Sequence, residues 1–118
     1  MATKPLPVML SGIQPSGHLC IGNYLGALKN WAKLQENHES IFLVVDMHAL
    51  TVKQNPSKLR ERCLSYVAQY IACGIDPDKS IIAIQSHIHQ HAELMWVLSS
   101  ITYTSNTPSR TWITIPIS

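Results

Sequence analysis

Three short apolar runs rich in β-branched residues stand out along the chain: VMLS at 8–11, SIFLVVD at 40–46 and SIIAIQS at 80–86. None of these runs alternates strictly between apolar and polar positions, which is typical of strands covered on both faces of a sheet. Strands of that kind belong to parallel sheets. The three runs therefore predict three strands of one parallel sheet.

Apolar residues recur at helical spacing between these runs. One stripe follows the first run and a second precedes the third run; their members are Ile21, Tyr24, Leu25, Leu28, Trp31 and Ala32, and then Leu59, Cys63, Val67, Tyr70 and Ile71. Each stripe predicts an amphipathic helix. Trp31, and Trp96 further along the chain, are expected in the core or in an interface, and Cys63 and Cys73 are expected to act as packing residues.

The ends of the second helix are marked by residues that start and stop helices. Asn55 is a good N-cap and Pro56 suits the first helical position. Gly74 suits the left-handed position after the last turn, and Ile75 can close the end with an apolar contact. A third helix is predicted from about His91, with Leu94, Val97, Leu98, Ile101 and Trp96 on or near its apolar stripe.

The order β-α-β-α-β-α predicts an α/β protein with a Rossmann-like open parallel sheet and helices on both faces. A chain of 118 residues is the length of one domain. The last stretch, SNTPSRTWITIPIS at 105–118, has no helical period, and we expect an irregular tail there.

Composition narrows the class of protein. The chain is 46% hydrophobic and 14% charged with a net charge of +2, which is too small to imply nucleic acid binding by itself. The basic residues between Lys53 and Arg62 are interpreted as a solvated helix face. Cys20, Cys63 and Cys73 form no C-x-x-C pair, and no signal peptide or membrane-spanning run is evident. A cytoplasmic location is expected, and the apolar surplus hints at a surface that a partner covers.

Four of the five glycines lie in SGIQPSGHLCIGNYLGAL at 11–28, between the first predicted strand and the first predicted helix. Ligands of open α/β sheets bind beyond the carboxyl ends of strands, and a helix N-terminus favours an anion. We expect Gly12 to let a ligand approach the backbone. The loop of Pro15, Ser16 and Gly17 then leads to Gly22 and Asn23, which open the helix.

Amide side chains complete this candidate phosphate site, because Gln14 and Asn23 are neutral hydrogen-bond donors. The stretch is neither a G-x-G-x-x-G dinucleotide fingerprint nor a P-loop ending in G-K-[ST]. From the residues alone, a tight strand-to-helix turn without a ligand remains the alternative. Asp46 and His48 could likewise be ordinary polar groups at the end of a strand.

The same stretch resembles the first signature of the tryptophanyl-tRNA synthetases, a class I family, with CIGN where class I enzymes carry H-I-G-H. VVDMHALTV at 44–52 resembles the V-D-x-H-A-x-T segment of that family, and YIACGIDPDKSIIAIQSHI at 70–88 is also similar. The resemblance runs from 8 to 104. It implies that 1–104 is the N-terminal part of a class I nucleotide-binding catalytic domain, followed by an atypical tail at 105–118.

The resemblance also implies an activity and its residues. The activity is ATP-dependent formation of tryptophanyl-adenylate and transfer of the aminoacyl group to tRNA(Trp) by a homodimer, with Mg²⁺ on the ATP phosphates. Gln14 and Asn23 would be catalytic, and the ATP site would comprise Gln14, Pro15, Ser16, Gly22 and Asn23. The tryptophan pocket would comprise Leu10, Gly12, Val45, Asp46 and His48.

Departures from the family pattern leave alternatives open. Cys20 stands where Thr or His is usual, Met47 stands where a polar residue is common, and after SSITYT the G-E-L and R-M-T-Q segments are missing. We therefore expect a truncated or frame-slipped product, or a deliberate fragment, with little activity alone. A catalytically inactive nucleotide-binding or interaction module is the alternative. His87, His89 and His91 would bind zinc only if their segment were extended, and no metal site is predicted.

Overall fold

The computed structural model describes residues 5–102. Three strands, β1 (Val8–Ile13), β2 (Glu39–Val44) and β3 (Ser80–Ile84), form a parallel sheet in the order β1-β2-β3. The predicted parallel α/β sheet is thus confirmed. The strand ends differ from the prediction, since β1 continues to Ile13 and β2 stops at Val44.

The first helix, α1, covers residues 21–34 and is interrupted by a π-helical segment. It consists of an α-helical turn (Ile21–Asn23), the π-helical segment (Tyr24–Leu28) and an α-helix (Lys29–Leu34). The Lys29 N–H donates to the Tyr24 carbonyl, five residues back. A π segment shifts the helical phase, so the residues before and after it do not share one buried face as predicted. Leu28 and Trp31 are buried, whereas the earlier members Ile21, Tyr24 and Leu25 are exposed.

The second long helix begins and ends as the sequence predicts. After a short helix α2 (Asp46–Ala49), helix α3 runs over Pro56–Ala72. The Asn55 Oδ1 atom accepts hydrogen bonds from the backbone N–H groups of Ser57 and Lys58, at 3.1 and 3.3 Å. Gly74 has a φ of +99°, and the Ile75 N–H donates to the Tyr70 carbonyl at 3.1 Å, closing the helix end.

The third strand leads into a helix that projects from the body. A 3₁₀ turn (Gln85–His87) precedes helix α4 (His89–Ile101), which confirms the third predicted helix with a start two residues earlier. No side chain of α4 is buried, and Trp96 is 77% exposed, so it is not a core residue of the described part of the chain. Within residues 5–102, no helix has the length and apolar character needed to cross a bilayer.

The packed core lies on one face of the sheet, where α1 and α3 meet β2. Trp31 stacks on Phe42 with ring centroids 4.6 Å apart and meets Tyr70 edge-on at 5.4 Å. The Tyr70 hydroxyl donates to the Leu43 carbonyl at 3.1 Å, which fixes α3 on the strand. Trp31, Cys63 and Tyr70 are therefore core residues, as predicted, with Cys73 partly buried against them.

The opposite face of the sheet is largely open within the described residues. Leu10, Ile41 and Ile81 are paired across the three strands and share this face. Leu10 and Ile81 are 57% and 61% exposed, and Val8 beside them is 67% exposed. This apolar surface, together with α4, matches the surplus of apolar residues in the composition.

We expect the chain to self-associate, because contiguous exposed apolar surface and an open sheet favour association. Sedimentation velocity over a wide concentration range measures this directly. A double variant, Val8→Ser with Ile81→Ser, is expected to shift the distribution towards monomer. A monomeric profile for the unaltered chain at every concentration would contradict the expectation.

Candidate functional site

The glycine-rich loop packs against α3 and is hydrogen-bonded to it. The Ser16 N–H donates to the Gln14 carbonyl at 2.9 Å, and the Pro15 side chain is fully buried. The Arg62 Nη1 atom lies 3.2 Å from the Pro15 carbonyl and 3.4 Å from the Gln54 Oε1 atom. The loop conformation therefore depends on a cation that lies 47 residues further along the chain.

The role of Arg62 corrects the prediction of a solvated basic face. Lys53, Lys58 and Arg60 are exposed as predicted, but Arg62 is half-buried and pinned to the loop. The preceding residues on α3, Arg60 and Glu61, are charged and exposed and give no sign of this contact. The contact appears only when α3 is packed beside the loop.

Reciprocal hydrogen bonds define the start of α1. The Asn23 Oδ1 atom accepts from the Cys20 backbone N–H at 3.0 Å and from the Cys20 thiol at 3.1 Å. In return, the Asn23 backbone N–H points to the Cys20 side chain, which completes a capping box. Backbone N–H groups of Asn23 and Gly22 lower the pKa of the exposed Cys20 thiol. The start of the helix thus favours negative charge, as a phosphate site requires.

Gly12 lies inside β1 and packs against its own chain. A Cβ atom at Gly12 would stand 2.8 Å from the Leu43 carbonyl oxygen and 2.9 Å from Val45 Cγ1. The sequence suggested glycine here to admit a ligand, but protein atoms already fill the space that a side chain would take. Gly12 and Val45 are brought together, and with Leu10 they lie on the open face of the sheet.

Replacing Gly12 with alanine is expected to destabilise the fold by about 1–3 kcal/mol, because β1 and β2 must separate to admit the methyl group. Urea unfolding monitored by tryptophan fluorescence measures the change. Gly17→Ala is the matched control, since a Cβ at Gly17 would meet no atom within 4 Å. Equal losses of stability in the two variants would contradict the steric argument.

Asp46 and His48 lie at the end of β2 but point to different surroundings. The buried Asp46 carboxylate accepts a hydrogen bond from the Ser86 backbone N–H at 3.0 Å, which joins the ends of β2 and β3. It also lines a cleft of about 620 Å³ beside Leu59 and Cys63 of α3. His48 is exposed on α2, and its carbonyl accepts from the Thr51 hydroxyl at 3.0 Å.

The five predicted pocket residues therefore do not share one surface. Leu10, Gly12 and Val45 follow the open face of the sheet, whereas Asp46 lines the cleft on the helix-covered side. Ser86, which the sequence interpretation did not single out, is the partner of Asp46. The parallel topology could have suggested this pair, because the carboxyl ends of adjacent parallel strands meet at one edge.

A second, more polar cleft of about 420 Å³ lies between the loop and α3. Its lining includes Ser16, His18, Lys58, Arg62 and Tyr66. Burial raises the pKa of the Tyr66 hydroxyl, so Tyr66 remains protonated well above neutral pH. The cleft thus carries two cationic side chains behind the glycine-rich loop, and Glu61 also lines it.

The three histidines considered for zinc are not in an extended segment. His87 ends the 3₁₀ turn, and His89 and His91 lie in the first turn of α4. Within residues 5–102, no group of three or more His, Cys, Asp or Glu side chains is arranged to hold a metal ion. The zinc alternative required an extended segment, and the structure does not have one at these three histidines.

Comparison with known proteins assigns the chain to a protein family. A family model described as tRNA synthetases class I (W and Y) matches residues 3–109, and the chain belongs to this family. The glycine-rich loop, the start of α1 and the parallel sheet are the parts of that fold described above. The resemblance inferred from the sequence is therefore confirmed.

Among the solved structures, two tryptophanyl-tRNA synthetases share more sequence with this chain than a tyrosyl-tRNA synthetase does. Tryptophanyl-tRNA synthetase from Campylobacter jejuni is 40% identical with a TM-score of 0.76, over 83% of this chain and 31% of its own. The enzyme from Mycoplasma pneumoniae is 32% identical with a TM-score of 0.75, over 80% of this chain and 28% of its own. Tyrosyl-tRNA synthetase from Archaeoglobus fulgidus is 25% identical with a TM-score of 0.73, over 86% and 33%.

The chain spans about a third of the length of these relatives. A second structure of the Campylobacter jejuni enzyme is described as complexed with ADP and tryptophan, again at 40% identity.

Proposed function

We propose that this chain provides the ATP phosphate site and part of the tryptophan site of a tryptophan–tRNA ligase. The observation that carries the proposal is the start of α1, where Asn23 and the backbone N–H groups create a surface that favours an anion. Family membership and the relative complexed with ADP and tryptophan support the same ligands.

The chemistry is attack by the tryptophan carboxylate oxygen on the α-phosphorus of ATP. A P–O bond to the carboxylate forms, the bond to the bridging oxygen breaks, and pyrophosphate leaves. The aminoacyl group then passes from the adenylate to a hydroxyl group of tRNA(Trp), and AMP leaves. Such a reaction needs positioning and charge stabilisation more than a proton-transferring base.

Asn23 and Gln14 are the proposed catalytic side chains. The Asn23 Oδ1 atom is engaged by Cys20, so its Nδ2 group is the part of the amide left to donate to phosphate oxygens. Gln14 directly follows Ile13, the last residue of β1, and therefore lies at the carboxyl edge of the sheet. Pro15, Ser16 and Gly22 would shape the backbone against which the triphosphate lies.

Tryptophan is the proposed amino acid because the identity is 40% to a tryptophan enzyme and 25% to the tyrosine enzyme. Leu10, Gly12 and Val45 offer an apolar surface on the open face of the sheet, suitable for an indole ring. Asp46 and His48 are also proposed for the tryptophan site, but Asp46 acts from the other side of the sheet, where it lines the cleft beside α3. Of these two, only Asp46 is buried, and its bond to Ser86 gives it a positioning role at the strand end.

Magnesium fits this site as an ion carried by the nucleotide. Residues 14–28 contain no Asp or Glu, and the Asp46 carboxylate is bonded to Ser86. The donors at the loop are amide N–H groups, which suit phosphate oxygens rather than a cation. Mg²⁺ would supply charge neutralisation on the phosphates.

The remaining partners are also proposals. tRNA(Trp), a homodimeric assembly and a cytoplasmic setting are expected for the complete enzyme. A second candidate function for these 118 residues is nucleotide binding without efficient turnover. We expect tryptophan-dependent pyrophosphate exchange by the 118-residue chain to be barely above background.

Calorimetric titration with Mg·ATP tests the phosphate site. The unaltered chain is expected to bind, and Asn23→Ala is expected to bind about tenfold more weakly, the usual loss for one hydrogen bond to a charged group. Asn30→Ala is the matched control, because Asn30 lies on the same helix and bonds only its own helix backbone, at Gly26. Equal affinities for the unaltered chain and Asn23→Ala would contradict the proposal.

A further inference from the structure

The Cys20 thiol and the Asn23 carboxamide meet at the start of α1. Two hydrogens converge on the Asn23 Oδ1 atom, one from the Cys20 backbone N–H at 3.0 Å and one from the Cys20 thiol at 3.1 Å. An amide can present either its oxygen or its nitrogen to a ligand. Two donors on the oxygen select the orientation in which Nδ2 faces away from Cys20.

We propose that Cys20 is a positioning residue for the phosphate site: its protonated thiol holds the Asn23 carboxamide so that Nδ2 donates to the nucleotide. The inference rests on the proposed function, because it needs a phosphate at the start of α1. It assigns to this thiol a task within the site rather than a contact with the reacting atoms.

The protonation state of the thiol decides whether this arrangement holds. A thiol can donate to the Asn23 Oδ1 atom, but a thiolate cannot, because it has no hydrogen. A thiolate also places a negative charge at the same helix start that binds phosphate, and like charges a few ångströms apart repel. Deprotonation therefore weakens phosphate binding in two ways, and bound phosphate in turn raises the pKa of the thiol.

The surroundings make Cys20 the group that titrates. Backbone N–H groups of Asn23 and Gly22 lower the pKa of its thiol, and its side chain is exposed. On α3, Tyr66 lies within electrostatic range of both Cys20 and Arg62, and burial raises the pKa of Tyr66 above its ordinary value. His18 is the other titratable group on the loop, and it is exposed.

The test compares Mg·ATP affinity from about pH 7 to about pH 9.5 in the unaltered chain, Cys20→Ser and Cys20→Ala. In the unaltered chain, affinity is expected to fall about tenfold as the thiol loses its proton. Cys20→Ser keeps a donor and should bind with no such fall. Cys20→Ala should be about threefold weaker than Cys20→Ser at pH 7 and equally flat.

His18→Gln is the control for the other titratable group of the loop, and it should keep the fall in affinity. A flat profile for the unaltered chain overturns the inference, as does a fall that persists in Cys20→Ser. Equal affinity of Cys20→Ala and Cys20→Ser at pH 7 also overturns it.

A second measurement separates failure of the inference from failure of the proposed function. Without nucleotide, the NMR signals of the Asn23 side-chain NH₂ should shift with the thiol titration in the unaltered chain and stay constant in Cys20→Ser. If this shift is observed but Mg·ATP does not bind, the proposed function is contradicted and the positioning of Asn23 by Cys20 is not. Constant NH₂ signals in the unaltered chain overturn the positioning role whether or not ATP binds.

Discussion

Replacing Gln35 with alanine is expected to lower the free energy of unfolding by about 3 kcal/mol, because it leaves several buried polar groups without partners. The Gln35 side chain is only 8% exposed. Its Nε2 donates to the carbonyls of Ala32 and Gly74, at 3.1 and 2.9 Å. Its Oε1 accepts from the Asp76 N–H at 2.9 Å and the Ser80 hydroxyl at 3.2 Å. One side chain thus joins the end of α1 to the turn that starts β3.

Urea unfolding monitored by circular dichroism measures this loss. Gln69→Ala is the matched control, since Gln69 makes its bonds within α3, to the carbonyl and hydroxyl of Ser65. That control is expected to change the free energy of unfolding by less than about 0.5 kcal/mol. If Gln35→Ala were no more destabilising than Gln69→Ala, the link between α1 and β3 would not stabilise the fold as described.

Replacing Gly22 with valine is expected to weaken Mg·ATP binding by more than about tenfold, since a branched side chain would cover the backbone N–H groups at the start of α1. The fold should tolerate the change. A Cβ at Gly22 would meet only the Cys20 Sγ atom, at 3.6 Å, which is an ordinary contact. Calorimetry gives the affinity, and thermal unfolding confirms that the variant is folded.

Gly26→Val is the matched control for this prediction. Gly26 lies one turn further along α1, where a Cβ would meet no atom within 4 Å. Valine there should leave Mg·ATP affinity within about twofold of the unaltered chain, a change of less than about 0.5 kcal/mol. Equal losses in Gly22→Val and Gly26→Val would point to a general effect on the helix and contradict a phosphate site at its start.

The features that the sequence predicts best are those with local causes. The ends of α3 follow from Asn55, Pro56 and Gly74, whose effects act within one helical turn. The three strands follow from their apolar runs. The predicted buried stripe of α1 is only partly confirmed. The π-helical segment Tyr24–Leu28 shifts the helical phase, and a prediction based on a period of 3.6 residues takes no account of such a shift.

The features that the sequence could not predict depend on distant contacts. Gln35 looks like a surface residue at the end of a helix, yet three of its four partners, Gly74, Asp76 and Ser80, lie 39–45 residues away. Arg62 looks like one of several solvated cations, yet it holds the Pro15 carbonyl. The glycine-rich stretch was recognisable as a strand-to-helix loop, but the packing reason for Gly12 appears only in the pairing of β1 with β2.

The most direct test of the central claim is an NMR titration of the isotopically labelled chain with Mg·ATP, following the assigned backbone amide signals. The claim predicts shifts concentrated in the loop and helix start, at residues 14–23, and their loss in Gly22→Val. Signals of α4 should hardly move. Shifts centred instead on the Lys58 and Arg62 cleft, or no shifts at millimolar Mg·ATP, would contradict a nucleotide site at the start of α1.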